Sequence, residues 1–186
     1  MTKRAQSGSS TKIPFCLSIA IILLLLFTQQ LFPAEMRDIW FSYGIGGVGQ
    51  IPMQFLMNPV YPETIYIGTQ FQGISRSDDG GTSWAYINTG LDSYEKRNIG
   101  SMAVALKNPE VLFIGTQAGV FKSIDGGADW VEANNGMPNS TVYDLEINST
   151  NSDVVYAATR LGVYKTVDGG LNWNLVSPSV FIYCVI

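Results

Sequence analysis

The side chains that most enzymes use for acid–base, nucleophilic and metal chemistry are sparse in this chain of 186 residues. Histidine is absent, although it is the commonest general base and the commonest ligand of transition metals. There are two cysteines, and Cys16 falls within an apolar stretch, so we expect neither a disulfide with Cys184 nor a thiolate metal site. Carboxylates therefore remain as the main candidates for chemistry.

Carboxylates could hydrolyse glycosidic bonds, a reaction that generally requires two of them facing each other across the substrate. The candidates outside the repeated turns are Asp92, Glu95, Asp144 and Glu146. None forms a convincing pair, and we interpret them as solvated charges. The adjacent Asp78 and Asp79 could bind calcium, but one turn supplies too few oxygens for the roughly six to eight that calcium takes. We predict no metal site, no cofactor and no catalytic residue.

The most specific pattern is a turn motif, Ser/Thr-x-Asp-x-Gly-x-x-Trp, found at residues 77–84, 123–130 and 166–173. Its tryptophans lie 46 and 43 residues apart, which fits the ~40 to 50 residues of one four-stranded repeat. The Asp and the hydroxyl can hydrogen-bond to backbone N–H groups, Gly allows a positive φ, and Trp buries a large apolar area. We predict a structural role for the following residues: Ser77, Asp79, Gly81, Trp84, Ser123, Asp125, Gly127, Trp130, Thr166, Asp168, Gly170 and Trp173.

Strand-like segments recur in the same phase as this motif. An apolar element occurs at residues 65–69, 112–116 and 155–159. A second element follows each copy at nearly constant distance, and alternating segments that read as innermost strands precede them. The pattern predicts an all-β fold, namely a β-propeller of four-stranded blades that span residues 51–89, 99–135 and 141–177.

The segments that flank these three blades continue the same repeat spacing. Residues 39–44 contain Trp40, which precedes Trp84 by 44 residues, and they read as the outermost strand of a closing blade. Residues 180–186 read as the first, innermost strand of a truncated fourth blade. A closed ring needs at least about four blades. We therefore expect an incomplete ring that is part of a longer protein, or that self-associates through open blade edges.

The first 34 residues resemble a targeting element. Lys3, Arg4 and Lys12 precede an uncharged apolar run at residues 13–27, which is shorter than the ~20 residues that span a bilayer. We predict a hydrophobic helix that serves as a signal peptide or a signal anchor, and an extracytoplasmic location. Removing 1–34 leaves an excess of acidic residues, which argues against nucleic acid as a partner and limits membrane contact to this segment.

The three turn motifs resemble those of the Asp-box, or BNR-repeat, propellers, and the resemblance extends from Trp40 to the last residue. That family includes sialidases, xyloglucan-active glycosidases, sortilin-type receptors and photosystem II assembly factors, so the fold is shared by enzymes and binding proteins. Sialidases are similar to one another in an arginine triad, whereas the arginines here are scattered, and we interpret Arg76 and Arg160 as exposed or loop positions. In the xyloglucan-active group, the strand that corresponds to residues 65–69 is followed by the Asp to which catalysis is attributed. This chain has Gln70 at that position.

The resemblance and the scarcity of catalytic groups favour a non-catalytic interaction module that binds a protein or a glycan. The alternative is the N-terminal fragment of an exported glycan-processing hydrolase, of the sialidase-like or xyloglucanase-like type. In either case we expect ligands at the loops on the central face, away from the Asp-box turns. The residues predicted there are Gln70, Gln72, Gln117 and Arg160.

Overall fold

The computed structural model describes residues 52–178. Those residues form twelve β-strands and contain no helix, which confirms the all-β prediction. No helix long and apolar enough to cross a membrane occurs within this range. The predicted targeting helix at 1–34 and the predicted strands at 39–44 and 180–186 lie outside the described residues and stay predictions.

The strands form three four-stranded antiparallel sheets, here called blades 1 to 3, each in simple sequence order. Blade 1 contains β1 (Pro52–Met57), β2 (Ile65–Thr69), β3 (Ile74–Ser77) and β4 (Ala85–Tyr86). Blade 2 contains β5 (Ile99–Val104), β6 (Leu112–Thr116), β7 (Gly119–Ser123) and β8 (Val131–Glu132). Blade 3 contains β9 (Val142–Ile147), β10 (Val155–Thr159), β11 (Gly162–Thr166) and β12 (Asn174–Pro178). The strands are rich in β-branched and aromatic residues, which favour strands.

The first strands of the three blades lie next to one another, as the innermost strands of a propeller do. The Gln54 side-chain amide on β1 donates to the Gly100 carbonyl on β5 at 3.0 Å. The Ser101 hydroxyl on β5 donates to Asp144 on β9 at 3.2 Å and accepts from the Leu145 N–H at 3.0 Å. Each of these strands also carries a register shift near its start, which bends it.

The apolar core lies between blades rather than within any one of them. One cluster joins blades 1 and 2 and includes Tyr66, Leu112 and Phe121. A second cluster joins blades 2 and 3 and includes Phe113 and Leu145. Because each sheet is covered by its neighbour, the face-to-face packing of blades supplies most of the hydrophobic stabilisation of the described part.

The Asp-box tryptophans connect each blade to the one before it. Trp130 is 4% exposed and its indole N–H donates to the Ile87 carbonyl of blade 1 at 2.8 Å. Trp173 is 2% exposed and donates to the Ala133 carbonyl of blade 2 at 2.8 Å. Trp84 differs from the predicted burial, because it is only half-buried and its indole donates to Gly81 of its own turn at 3.0 Å.

In blades 1 and 2, a cationic side chain on the third strand forms a second connection, to the blade that follows. The Arg76 guanidinium donates to the Gly126 carbonyl of blade 2 at 2.9 Å and lies 5.7 Å from the Tyr66 ring centre. The interpretation of Arg76 as an exposed or loop position is therefore wrong, since the side chain bridges two blades. Lys122 repeats the contact by donating to Gly169 of blade 3 at 2.8 Å.

Candidate functional site

The Asp-box turn of blade 1 is closed by its own side chains. The Ser77 hydroxyl accepts from the Gly81 N–H and donates to the Asp79 carboxylate, both at 2.8 Å. The other hydrogen bonds to that carboxylate come from the Ser83 N–H at 2.8 Å and the Ser83 hydroxyl at 2.6 Å. Gly81 has a φ of 94°, a backbone conformation that residues with a side chain rarely adopt. The turn thus satisfies the Ser77 hydroxyl and the Asp79 carboxylate with its own groups.

The turns of blades 2 and 3 repeat this geometry. Ser123 accepts from Gly127 at 2.8 Å, and Thr166 accepts from Gly170 at 3.0 Å. The carboxylates accept from the matching hydroxyls at 2.7 Å in both blades. The residues predicted to be structural therefore lie at the connections between third and fourth strands, where they hold the backbone rather than face a shared site.

These contacts lower the pKa values of the three carboxyl groups. The Ser83 hydroxyl, the Ser83 N–H and the Ser77 hydroxyl lower the pKa of Asp79 to about 2. The Asn172 amide and the Thr166 hydroxyl lower the pKa of Asp168 to about 2. The pKa of Asp125 is also lowered, chiefly by the Ser123 hydroxyl. Hydrogen bonds to an ionised carboxylate favour its charged form.

The same contacts weaken the case for calcium at these turns. Both oxygens of Asp79 already accept hydrogen bonds from Ser77 or Ser83. Calcium would have to replace those donors and recruit most of its roughly six to eight oxygens from elsewhere. Within residues 52–178, no group of three or more acidic residues is placed to hold a metal ion.

Acid is expected to destabilise the protein through these turns. Since the folded pKa of Asp168 lies near 2, below its unfolded value of about 3.9, its contribution is complete above that value and is lost as the pH falls towards 2. Melting temperature measured between pH 5 and pH 2 should fall, and it should fall less steeply in Asp168→Asn. Glu63→Gln, an equal loss of charge at an exposed position outside the Asp-box turns, is the control. Equal slopes in all three proteins would contradict this role.

The turns between second and third strands form another surface, here called the loop face, together with the β4–β5 connection (87–98) and the β8–β9 connection (133–141). Backbone hydrogen bonds join its parts. Gly73 donates to the Arg97 carbonyl at 3.0 Å, and Gln117 donates to the Glu95 carbonyl at 3.2 Å. Arg160 donates to the Thr141 carbonyl at 3.0 Å. Each turn is thus held against a connection between blades.

An aromatic cleft occupies the blade 1 part of the loop face. The rings of Phe71 and Tyr94 are stacked with centroids 4.5 Å apart and an interplanar angle of 16°. Beside them is an open depression of about 350 Å³, lined by Phe71, Gln72, Tyr86, Asn88 and Arg97. The Tyr86 hydroxyl donates to the Gln72 side chain at 2.7 Å. The Asn88 amide donates to the Gln72 carbonyl at 2.8 Å, so the polar wall is held in place.

Of the four residues predicted to contact a ligand at the central-face loops, Gln72 alone lines this cleft. Gln117 and Arg160 are exposed and Gln70 is half-buried, at matching turns of separate blades. No hydrogen bond joins the side chains of these three described residues. The sequence analysis missed Tyr86, Tyr94 and Arg97. The sequence feature that could have indicated this site is the length of the β4–β5 connection. It is longer than the β8–β9 connection and contains Tyr94 and Arg97.

Among the described residues, the four candidate carboxylates do not face one another in the pair that glycoside hydrolysis requires. Asp92 is paired with Lys96 at 2.8 Å, and this hydrogen bond lowers its pKa. The pKa of Glu95 is also lowered, by hydrogen bonds from its own backbone N–H and Ser93. On the innermost strand β9, burial and the charge of Asp144 raise the pKa of Glu146. Asp144 itself accepts from Ser101, a contact between blades.

Three antiparallel four-stranded blades with the same Asp-box turn in each define a β-propeller of Asp-box repeats. The family model described as "Photosynthesis system II assembly factor YCF48" matches residues 58–180. The chain belongs to this family, which is of the BNR type. The match confirms the resemblance to BNR-repeat propellers that was identified from the turn motifs.

Solved propellers share the fold. An ancestral GH74 enzyme is 25% identical, with a TM-score of 0.58, over 67% of this chain and 18% of that one. A GH74 enzyme from Niastella koreensis is 20% identical, with a TM-score of 0.58, over 68% and 22%. YCF48 from Cyanidioschyzon merolae is 15% identical, with a TM-score of 0.50, over 67% and 36%. The aligned part is thus well under half of each structure. No curated protein sequence matches significantly.

Proposed function

We propose that the chain is a non-catalytic binding module that holds a polypeptide segment on its loop face. The observation that carries this proposal is the aromatic cleft. Tyr94 and Tyr86 are 55% and 50% exposed, and each combines an apolar ring with a polar hydroxyl. Such side chains dominate the energetics of protein interfaces because they bury much area at little cost in conformational entropy.

The polar groups of the cleft are suited to a peptide backbone. Arg97 is exposed and lines the cleft, and its Nε donates to the Leu91 carbonyl at 2.7 Å, which fixes the side chain. Gln72 and Asn88 also line the cleft, and Asn88 is held there by hydrogen bonds to the Gln72 carbonyl and from the Ile74 N–H, both at 2.8 Å. The family model is described as an assembly factor, which supports a protein as the partner rather than a small molecule.

Binding of peptides tests the proposal directly. A phage-displayed library of random dodecapeptides is selected on the immobilised full chain, and the affinity of the enriched peptides is measured by calorimetry. Tyr94→Ala and Phe71→Ala are expected to weaken binding by about tenfold or more, because they remove the stacked rings. Tyr61→Ala is the matched control, since Tyr61 is 58% exposed in the β1–β2 turn.

Two outcomes would overturn this function. One is an enrichment of peptides whose affinity is the same for wild type, Tyr94→Ala and Phe71→Ala. The other is the absence of any enriched peptide while a panel of plant and bacterial oligosaccharides binds, which would identify a glycan as the ligand of the cleft.

A glycan-processing hydrolase is the second candidate, and the similarity to the ancestral GH74 enzyme favours it. The group to test is Glu146, because its raised pKa is a property of general acids in glycosidases. Release of reducing ends from xyloglucan by the full chain, lost in Glu146→Gln, would establish this candidate. The binding module predicts no release above a buffer control.

We also infer export through residues 1–34. The basic residues Lys3, Arg4 and Lys12 ahead of an uncharged apolar run support this location. Mass spectrometry of the protein recovered from a membrane fraction distinguishes a mature start near Glu35 from an intact anchor. Recovery of the full-length protein from the soluble cytoplasmic fraction alone would contradict export.

A further inference from the structure

A groove follows the outer edge of blade 2, where β8, the last strand of that blade, lies beside the Asp-box turn of blade 3. This groove, here called the rim groove, is open and has a volume of about 460 Å³. Three aliphatic side chains that line it are largely exposed: Ile124 at 71%, Val131 at 68% and Leu171 at 70%. Both walls of the groove consist of described residues.

The junction of blades 1 and 2 offers an internal comparison, because the Asp-box motif fixes which positions match. The matching residues there are small or charged: Asp78 in place of Ile124, Ala85 in place of Val131, and Ala128 in place of Leu171. Asp78 forms an ion pair with Arg76 at 2.8 Å. The turns and strands of a blade junction therefore form without aliphatic side chains at these three positions, so the fold does not require them.

The three aliphatic residues converge on the groove from three different elements. Ile124 lies in the Asp-box turn of blade 2, Val131 lies on β8, and Leu171 lies in the Asp-box turn of blade 3. Single exposed aliphatic residues are normal on a protein surface, whereas a contiguous apolar surface bordered by polar groups is typical of an interaction site. Burial of these side chains by a partner would bring the hydrophobic stabilisation that exposure forgoes.

The polar border of the rim groove is acidic. Three exposed carboxylates line it: Asp125, Asp129 and Glu132. At the junction of blades 1 and 2, the uncharged residues Ser83 and Tyr86 occupy the positions of Asp129 and Glu132. Lys122 is the one cation among the described residues that line the groove, and it donates to the Gly169 carbonyl at 2.8 Å. The groove thus combines apolar contact area with an excess of negative charge.

We propose that the rim groove binds a segment of a partner protein in which aliphatic or aromatic side chains are flanked by Lys or Arg. Charge complementarity selects this occupant, since the carboxylates attract basic side chains and would repel the anionic headgroups of a lipid surface. Sites for small molecules bury most of their ligand, which an open groove does not do. The rim groove shares no lining residue with the aromatic cleft, so it is a second and separate interaction surface.

A subtractive selection tests this site. A phage-displayed library of random dodecapeptides is first depleted on the triple variant Ile124→Asp/Val131→Ala/Leu171→Ala and then selected on the wild-type full chain. The variant should fold, because the junction of blades 1 and 2 already carries these residues at the matching positions. It also keeps the aromatic cleft, so depletion removes peptides that bind there. The peptides that survive should carry a net positive charge and combine Lys or Arg with aliphatic or aromatic residues.

Calorimetry with the enriched peptides then separates the apolar and the charged contributions. Leu171→Ala should raise the dissociation constant by about tenfold, because it removes apolar contact area from the groove. Leu106→Ala is the matched control, since Leu106 is an equally substituted leucine that is 52% exposed in the β5–β6 connection. Asp129→Asn/Glu132→Gln should also weaken binding and should reduce its dependence on salt concentration.

The proposal is overturned if no peptide survives depletion, if the surviving peptides are acidic or uncharged, or if Leu171→Ala binds them as tightly as Leu106→Ala does. Affinities that are unchanged in Asp129→Asn/Glu132→Gln overturn the assignment of a basic partner. None of these outcomes bears on the aromatic cleft, and Phe71→Ala should leave the affinity of the rim-groove peptides unchanged, because Phe71 does not line the rim groove.

Discussion

Replacing Trp130 by Ala is expected to lower the free energy of unfolding by about 3 to 5 kcal/mol. The side chain is 4% exposed and belongs to the buried cluster that joins blades 1 and 2 and that also contains Ile74 and Leu91. Its removal would leave a cavity that closely packed blades cannot fill. The backbone N–H of Trp130 also donates to the Thr89 carbonyl at 3.0 Å, so the residue fixes the connection as well as the core.

Two further variants separate the sources of this effect. Trp84→Ala is the matched control and should cost clearly less, because Trp84 is half-buried and its indole bonds within its own turn. Trp130→Phe keeps much of the apolar area but leaves the Ile87 carbonyl without its indole donor, which should cost about 1 to 3 kcal/mol. Urea unfolding followed by circular dichroism measures all three. Near-native stability of Trp130→Ala would show that the blades do not pack as described.

The Asp-box turns could be predicted from sequence because their hydrogen bonds are local. Ser77 contacts Asp79 and Gly81, and Asp79 contacts Ser83, so one short segment contains the donor, the acceptor and the glycine that the turn requires. The repeated spacing of this segment then indicates the blades, because each copy closes one four-stranded sheet. The fold follows from a local motif and its period.

The aromatic cleft and the contact of Arg76 with the next blade could not be predicted in this way, because their partners are distant in sequence. Arg76 and its acceptor Gly126 belong to different blades, and either residue alone is typical of an exposed strand or turn. Phe71 and Tyr94 meet only because the β2–β3 turn and the β4–β5 connection lie on the same face. A motif indicates which turn forms, whereas the register between blades decides what the turn meets.

Gly136 shows how strict that register is, and Gly136→Ala is expected to lower the free energy of unfolding by about 2 to 5 kcal/mol. Gly136 has a φ of 81°, which is unfavourable for Ala by roughly 1 to 2 kcal/mol. An added Cβ would also overlap the backbone carbonyl oxygen of Trp173, which cannot move without displacing the buried indole. The Trp173 N–H already donates to the Asn135 carbonyl at 2.8 Å, so the two blades are tied together at this point.

Gly169→Ala distinguishes this close approach from backbone strain. Gly169 has a similar φ of 68°, but an added Cβ would meet only the far ends of Lys122 and Asp153, at 3.2 and 3.3 Å. Because these side-chain ends can shift, Gly169→Ala should lower the free energy of unfolding by about 1 to 2 kcal/mol, which is the strain of the positive φ alone. Parallel thermal and urea unfolding of the two variants gives the difference. If Gly136→Ala were no less stable than Gly169→Ala, the backbone of blade 3 would not approach the β8–β9 connection as closely as the structure places it, and the Trp173 contact between blades would lose its support.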